Sequence, residues 1–494
     1  MGVKSSLAKV YAKVAVRDMY RMAKRAVDCQ DIIFDELIQF SKDSYFGKAH
    51  NFAEIKTIAD YQARVPIRDY EEAKLYFDLT AEGKRNILWP GRPLYFAKTS
   101  GTTSGSKFIP ITQESISNHM NGARSALLAN IWHTKSTKFV NGKMIFLSGS
   151  PELYDHNGIK TGRLSGIVNH HIPNYLKKNQ VPSWETNCIE DWEEKVDAIV
   201  SETMNIDMTL ISGIPPWVLM YFERLLERTG KTTIKEVFPN FEVFVYGGVN
   251  YEPYRAKIDR LIGGKVQMIE TYPASEGFIA FQDKPDVEGL LLNSNSGIFF
   301  EFVPADEIFN ENPTRLSLRD VELDKNYAIL LTSNAGLWSY NIGDTVKFVS
   351  TDPHRIVVTG RIKHFISAFG EHVIGEEVEK SLQQGIKAAG GEIVEFHVAP
   401  KIKVEEGLPY HEWLIAFERL PKDMEVFATE IDKNLQEFNS YYKDLRQGNM
   451  LRELVVTSLP ADAFRTYMKR KGKLGGQNKV PRLSNDRSVA DELI

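Results

Sequence analysis

Apolar residues recur at helical spacing near the start of the chain: Leu7, Val10, Tyr11 and Val14, then Ile32, Ile33 and Leu37. Steps of three and four residues place such positions on one stripe of a helix, so two helices are predicted between about Leu7 and Phe40. In the segment YFGKAHNFAEIKTIADYQARVPIRDYEE, Pro66 closes a helical pattern and Asp69 stands where it caps the next helix. The centre of the chain alternates short apolar runs with amphipathic stretches. Residues 145–150 and 241–248 read as buried strands, and residues 191–204 and the stretch after Pro216 read as helices. Strand–helix alternation of this kind predicts an α/β sheet. Further strands are predicted at 298–303, 328–333 and 345–349.

Near Thr359-Gly360-Arg361 the texture changes. The remainder reads as a small α+β unit, with a helix at 375–388, strands at 393–398 and 413–418, and a long helix at 424–445. A large domain over 1–360 and a small one over 361–494 follow. The last stretch, KRKGKLGGQNKVPRLSNDRSVADELI, is polar and glycine-rich, and a mobile loop with a frayed tail is expected there.

At 494 residues the chain is too long for one simple core. Its balance of 43% hydrophobic and 26% charged residues is that of an ordinary globular protein. A net charge of −4 and a pI near 6.3 leave no basic footprint for nucleic acid. The two cysteines, Cys29 and Cys188, form neither a CxxC pair nor a metal cluster, which fits a reducing, cytoplasmic setting. No apolar run approaches the roughly 18 residues that span a bilayer, and no secretory signal opens the chain. Met1-Gly2-Val3-Lys4-Ser5-Ser6 matches the loose myristoylation pattern, a short motif that also arises by chance. Oligomeric state leaves no sequence signal.

Four segments carry candidate chemistry. Lys98-Thr99-Ser100-Gly101-Thr102-Thr103-Ser104-Gly105-Ser106-Lys107 packs hydroxyls and glycines between two short strand-like runs. Glycines let successive N–H groups converge on an anion, hydroxyls add donors, and Lys107 adds charge. This is a polyphosphate cradle, although it lacks the Walker A pattern. The bland alternative is a Ser/Thr-rich hairpin. Ser104-Gly105-Ser106-Lys107 also reads S-x-x-K, the signature of a serine acyltransferase or hydrolase, but that chemistry needs the serine to open a helix. Glu270-Thr271-Tyr272-Pro273-Ala274-Ser275-Glu276-Gly277 offers an aromatic for a base and a carboxylate for Mg²⁺, or simply a helix N-terminus with Glu276 on the dipole. In Trp338-Ser339-Tyr340-Asn341-Ile342-Gly343-Asp344, the aspartate follows a glycine in a predicted tight turn, as a ribose ligand or as the close of a hairpin. In Gly475-Gly476-Gln477-Asn478-Lys479-Val480-Pro481-Arg482, a lysine on a glycine-rich loop is either a swinging charge stabiliser or part of a solvated tail.

In this order the segments resemble the adenylate-forming superfamily, and within it the auxin-responsive acyl acid–amido synthetase family and its bacterial relatives. YFAKTSGTTSGSKFIPIT is similar to that family's phosphate loop, YPASEGFIAFQ to its aromatic-Ser-Glu motif and YNIGDTV to its ribose motif. TGRIKHFISAFGEHVIGEEVE resembles the superfamily's hinge. The resemblance implies a large multi-layered α/β domain with a small mobile C-terminal domain, and a ligase that uses ATP and Mg²⁺. It implies that Ser100, Gly101, Thr102, Thr103, Ser104, Gly105 and Lys107 contact phosphates. Tyr246, Gly247 and Gly248 would lie along adenine, and Tyr272 would stack on it. Ser275 would approach the α-phosphate, Glu276 would hold Mg²⁺, Asp344 would bind ribose, Lys363 would mark the hinge, and Lys479 would be the mobile catalytic lysine. Asn341 departs from the arginine common in the ribose motif. The implied partners are a carboxylic acid and an acceptor, an amine or alternatively a thiol as in an acyl-CoA ligase. A non-catalytic nucleotide- or acyl-binding protein is the alternative from another class. Among the histidines, His170-His171 reads as a surface loop and His119 as a partly buried helix residue or an acyl-pocket residue.

Overall fold

The computed structural model describes residues 3–102, 105–248, 251–305, 307–362, 365–366, 368–371, 373–404, 407–471 and 482–494. The chain divides into two compact units, Met1–Thr99 with Ser106–Ile362, and Ser100–Gly105 with Lys363–Ile494.

The first unit opens with two helices, α1 (Val3–Lys24) and α2 (Ala26–Ser41), as the periodicity predicts. Gln30 fixes α2 to the sheet, because its buried amide donates to Ser294 O and Ile298 O and accepts from Phe300 N. Asp69 accepts from Glu72 N at 3.0 Å while Glu72 accepts from Asp69 N at 2.7 Å. This reciprocal cap closes a turn, and the helix proper starts later, at Lys74–Ala81.

Strands β1 (Tyr95–Thr102), β2 (Gly105–Ile111), β4 (Tyr154–His156) and β5 (Ile159–Gly162) form a four-stranded sheet in the order β2-β1-β5-β4. A mixed eleven-stranded sheet is the centre of the unit. Its parallel half runs β6 (Gln180–Val181), β3 (Lys143–Phe146), β7 (Met208–Ser212), β8 (Val243–Gly247) and β9 (Gln267–Ala274). Its antiparallel half continues through β10 (Gly277–Phe281), β11 (Leu290–Leu292), β15 (His354–Arg361), β14 (Leu337–Thr351), β13 (Asn326–Ser333) and β12 (Ile298–Pro304). Every residue of β10 and nearly every residue of β12 and β13 is buried, so both faces of these three strands are covered. The helices Trp192–Thr203, Pro215–Thr229 and Glu252–Ile262 lie in crossovers between parallel strands, the first capped by Asp191.

The second unit carries β16 (Phe365–Ile366) with β17 (Val373–Ile374), the helix Gly375–Ala389, and a sheet of β18 (Glu392–Lys401), β19 (Tyr410–Arg419) and β20 (Val455–Leu459). Two expectations are corrected here. The predicted long helix at 424–445 is two helices, Met424–Phe438 and Ser440–Gln447. Asn439 breaks it by leaving helical φ/ψ and capping the second helix through Tyr442 N at 2.8 Å. The end of the chain, 482–494, is not frayed, and the loop expected at 472–481 lies outside the described residues. Leu483 bridges to Val398 and is buried, and Ala490 is fully buried in a short helix. Arg482 pairs with Glu379 and Glu395, and Arg487 with Glu412 at 2.7 Å. A few apolar side chains inside a polar run are enough to dock it.

Candidate active site

In open α/β sheets, ligands bind beyond the carboxyl ends of parallel strands. Here those ends are Gly247 of β8 and Ala274 of β9. The two strands run side by side, with Tyr246 opposite Glu270 and Gly247 opposite Thr271. Glycine is required at 247, because a Cβ would press on Thr271 O and lie 2.8 Å from its Oγ1. Gly248 turns the chain with φ +79°. The Thr271 hydroxyl donates to Tyr246 O at 2.9 Å, and the buried Tyr246 ring lies 4.5 Å from that of Tyr251.

Ser275 and Glu276 are the two central residues of a tight hairpin between β9 and β10, since Gly277 pairs directly with Ala274. The helix-N-terminus alternative for Glu276 is therefore excluded. Both residues are half-buried at the hairpin tip. The hairpin's base is held from the Ile116–Thr134 helix, where Asn118 Oδ1 accepts from Phe278 N at 2.6 Å.

Asp344 does not sit in a tight turn between strands. It lies within β14, which stays paired with β13 on either side of it and with β15, where it faces Arg361. Between the pairs Leu330–Asn341 and Ala328–Thr345, β14 spends four residues where β13 spends two. The excess is a bulge at Gly343, whose φ is +85°. Asn341 Oδ1 accepts from Gly343 N at 2.9 Å, and Gly343 O accepts from Ile362 N at 2.7 Å. The residue that replaces the expected arginine thus fixes the bulge itself.

The bulge brings two of the candidate motifs together. The Tyr272 hydroxyl donates to Asp344 Oδ2 at 2.6 Å, and the two residues are only 8% and 6% exposed. Elsewhere in the unit, at the start of β14, is a buried polar network without a sequence signal. Arg315 is paired with Glu301, and the Ser339 hydroxyl, on a backbone at φ +43°, donates to Glu301 Oε2 at 2.8 Å. Arg315 also donates to Gln62 O and Val65 O, which ties the N-terminal segment to the start of β14.

In the phosphate-loop segment, the strands extend further than expected. Ser100, Gly101 and Thr102 belong to β1 and Gly105 to β2, while Thr103 and Ser104 lie outside the described residues. Lys107 is in strand β2, so it is not one helical turn from Ser104, and the S-x-x-K reading loses its geometry. The Lys107 ammonium lies 5.8 Å from the Tyr70 ring centroid, and the Tyr70 hydroxyl accepts from Phe108 N at 3.1 Å. Lys363 and Lys479 lie outside the described residues.

Other titratable groups are ordered by burial. His119, on the Ile116–Thr134 helix, is 4% exposed, and burial pushes its pKa down to about 4. His170 and His171 end a helix rather than forming a loop, and they contact Pro151 O at 2.8 Å and the Tyr95 hydroxyl at 3.1 Å. Lys195, which the sequence pattern did not single out, is 2% exposed, and burial pushes it down to about 8. Its ammonium donates to Ser148 O and Asn187 O, which holds the loop that follows β3.

Comparison with known proteins agrees with this architecture. Residues 15–189 match the GH3 family N-terminal domain, 291–361 its central domain and 376–488 its C-terminal domain. A jasmonoyl–L-amino acid synthetase of Nicotiana attenuata, JAR6, is 25% identical, with 85% of this chain and 84% of the relative covered. Among solved structures, a GH3.15 acyl acid amido synthetase in complex with 2,4-DB superposes with a TM-score of 0.64 at 14% identity, covering 98% of this chain and 96% of that one. A 2-hydroxyisobutyryl-CoA ligase with 2-HIB-AMP and CoA superposes at 0.59 and 12% identity, covering 94% and 92%. At such identities these superpositions establish a shared fold.

Proposed function

The chain belongs to the GH3 family, an acyl-adenylate-forming ligase family, and from that premise we propose that it joins a carboxylic acid to an amine, an amino acid, at the expense of ATP. The observation that carries the site assignment is the buried Tyr272–Asp344 hydrogen bond, with Tyr272 on the strand that pairs with β8 and its terminal Gly247. It joins the segment assigned to adenine and the residue assigned to ribose into one edge, as a nucleoside requires.

In the first step the substrate carboxylate attacks the α-phosphorus of ATP, the acyl–oxygen–phosphorus link forms, and pyrophosphate leaves. The protein's part is to orient the groups and offset spreading negative charge. We assign the phosphates to the backbone and hydroxyls of Ser100–Gly105 with Lys107, and the α-phosphate to Ser275. We assign the transition-state charge to Lys479. Glu276 is one carboxylate at a hairpin tip, which fits a hard cation that arrives with ATP and takes its other ligands from phosphate and water. Bound there, Mg²⁺ would offset phosphate charge. In the second step the amine attacks the acyl carbon, AMP leaves and an amide forms. The small domain, 361–494, would turn about Lys363 between the steps. The buried free thiol of Cys29 is in keeping with a cytoplasmic enzyme.

ATP–pyrophosphate exchange with Mg²⁺ and a panel of aryl, indolic, short-chain and fatty acids tests this reading. Exchange that depends on one acid class, followed by amide formation with an amino acid, is the expected result. Thioester formation with CoA in place of amide would make it an acyl-CoA ligase. ATP binding without exchange for any acid would count against catalysis.

A further inference from the structure

Helix α1 is apolar on two opposite faces. One is used in the core, where Ala12 and Val16 are buried with Ala126 and Ala129 of the Ile116–Thr134 helix. The other carries Leu7, Val10, Tyr11 and Val14, spaced i, i+3, i+4, i+7, on one continuous stripe. These side chains are 64%, 63%, 49% and 64% exposed. Single exposed apolar residues are ordinary, but four on one stripe mark an interaction surface.

The charge around the stripe indicates what it meets. Residues 1–17 contain Lys4, Lys9, Lys13 and Arg17 and no acidic residue, in a chain whose net charge is −4. At 100° per residue, Lys13 and Arg17 fall along one border of the stripe, and both are exposed. The first carboxylate, Asp18, is paired with Arg21. No described helix is long and apolar enough to cross a membrane.

We propose that the exposed face of α1 docks the protein reversibly on an anionic lipid surface. The helix lies in the interfacial plane, with Leu7, Val10 and Val14 entering the boundary between headgroups and acyl chains and Lys13 and Arg17 meeting lipid phosphates. Tyr11 suits that boundary, with an apolar ring and a polar hydroxyl. Each basic residue near such a surface strengthens binding by about fivefold, and salt screens the effect. A second copy of the chain is a poorer occupant, because pairing the stripes brings the same cationic borders together.

Sedimentation of the full chain with vesicles tests the proposal. Binding is expected to vesicles of phosphatidylcholine with 30% phosphatidylglycerol in ~50 mM NaCl, to weaken sharply at ~500 mM, and to be slight with phosphatidylcholine alone. Leu7→Glu/Val14→Glu should lose at least about tenfold, and Lys13→Glu/Arg17→Glu should lose the preference for anionic lipid. Because all four side chains are exposed, both variants should melt like the parent. No sedimentation of the parent at low salt, equal binding to neutral vesicles, or variants that bind like the parent would each overturn the proposal. A parent dimer that Leu7→Glu/Val14→Glu turns into monomer, without lipid binding by either, would make the stripe an interface between chains and also overturn it.

Discussion

Replacing Tyr272 by Phe removes one atom from the site and keeps the ring. The lost hydroxyl sits 2.6 Å from Asp344 Oδ2 in a buried setting. A hydrogen bond to a charged group contributes about 1.5–3 kcal/mol. The variant's fold should lose a comparable amount in a denaturant titration. The part that falls on ATP binding depends on how far the hydroxyl aims the carboxylate. If half of it does so, the KM for ATP rises between about threefold and tenfold, at about 1.4 kcal/mol per factor of ten. Pyrophosphate exchange can measure this as a cycle of four proteins: parent, Tyr272→Phe, Asp344→Ala and the double variant. Asp344→Ala should raise the KM for ATP by about a hundredfold, the scale of losing charge-assisted bonds to ribose. In that background Tyr272→Phe should cost less than in the parent, because the bond to Asp344 is already gone. The expected coupling is about 1 kcal/mol, well above the few tenths seen between independent sites. Full additivity, or an unchanged KM in Tyr272→Phe, would refute the idea that the two side chains work as one ribose-facing edge.

Other expected outcomes are as direct. Gly247→Ala forces a Cβ against Thr271 and should destabilise by about 1–3 kcal/mol, with an unchanged denaturation midpoint as the contrary result. His119 is held at about 4 by burial, against 6.5 in the open chain, so between those values the unfolded state binds a proton that the folded state does not. Stability should therefore fall as pH drops from 6.5 toward 4, by about 3 kcal/mol from this group, and His119→Leu should flatten that slope; the same slope in both proteins would count against it. Lys479→Ala should lower pyrophosphate exchange about a hundredfold, and exchange at the parent rate would remove the lysine from the first step.

The sequence was most legible where a single periodicity dominates. The two N-terminal helices, strand β8 and the crossover at Trp192–Thr203 follow from local spacing, whereas the strand expected at 145–150 is β3 at Lys143–Phe146, and β6 and β7 were not singled out. It was less legible where one residue switches the geometry. Asn439 splits a pattern that reads as continuous, because capping competes with propagation and periodicity does not register the contest. Leu483 and Ala490 are too few to stand out in a polar tail, yet both are buried. At the candidate site, motif order located the residues but not their contacts. Tyr272 and Asp344 are joined by a side-chain hydrogen bond between strands that are not neighbours, and Glu301, Arg315 and Ser339 meet only in the folded chain.

Asn341 shows why a departure from a motif need not weaken it. The asparagine accepts from Gly343 N across two residues, a local bond that its short side chain is suited to make. That bond favours the positive φ of Gly343, and the bulge that follows sets the direction of Asp344. On the other side Gly343 O is taken by Ile362 N, so the bulge is also held from the end of β15. The carboxylate is thus placed by backbone geometry that is satisfied on both sides, and the Tyr272 hydroxyl reaches it from β9, which three strands separate from β14 in the sheet order. A site built this way keeps its aspartate aimed without the arginine, and the chemistry assigned to Asp344 depends on Gly343 and Asn341 as much as on the aspartate itself.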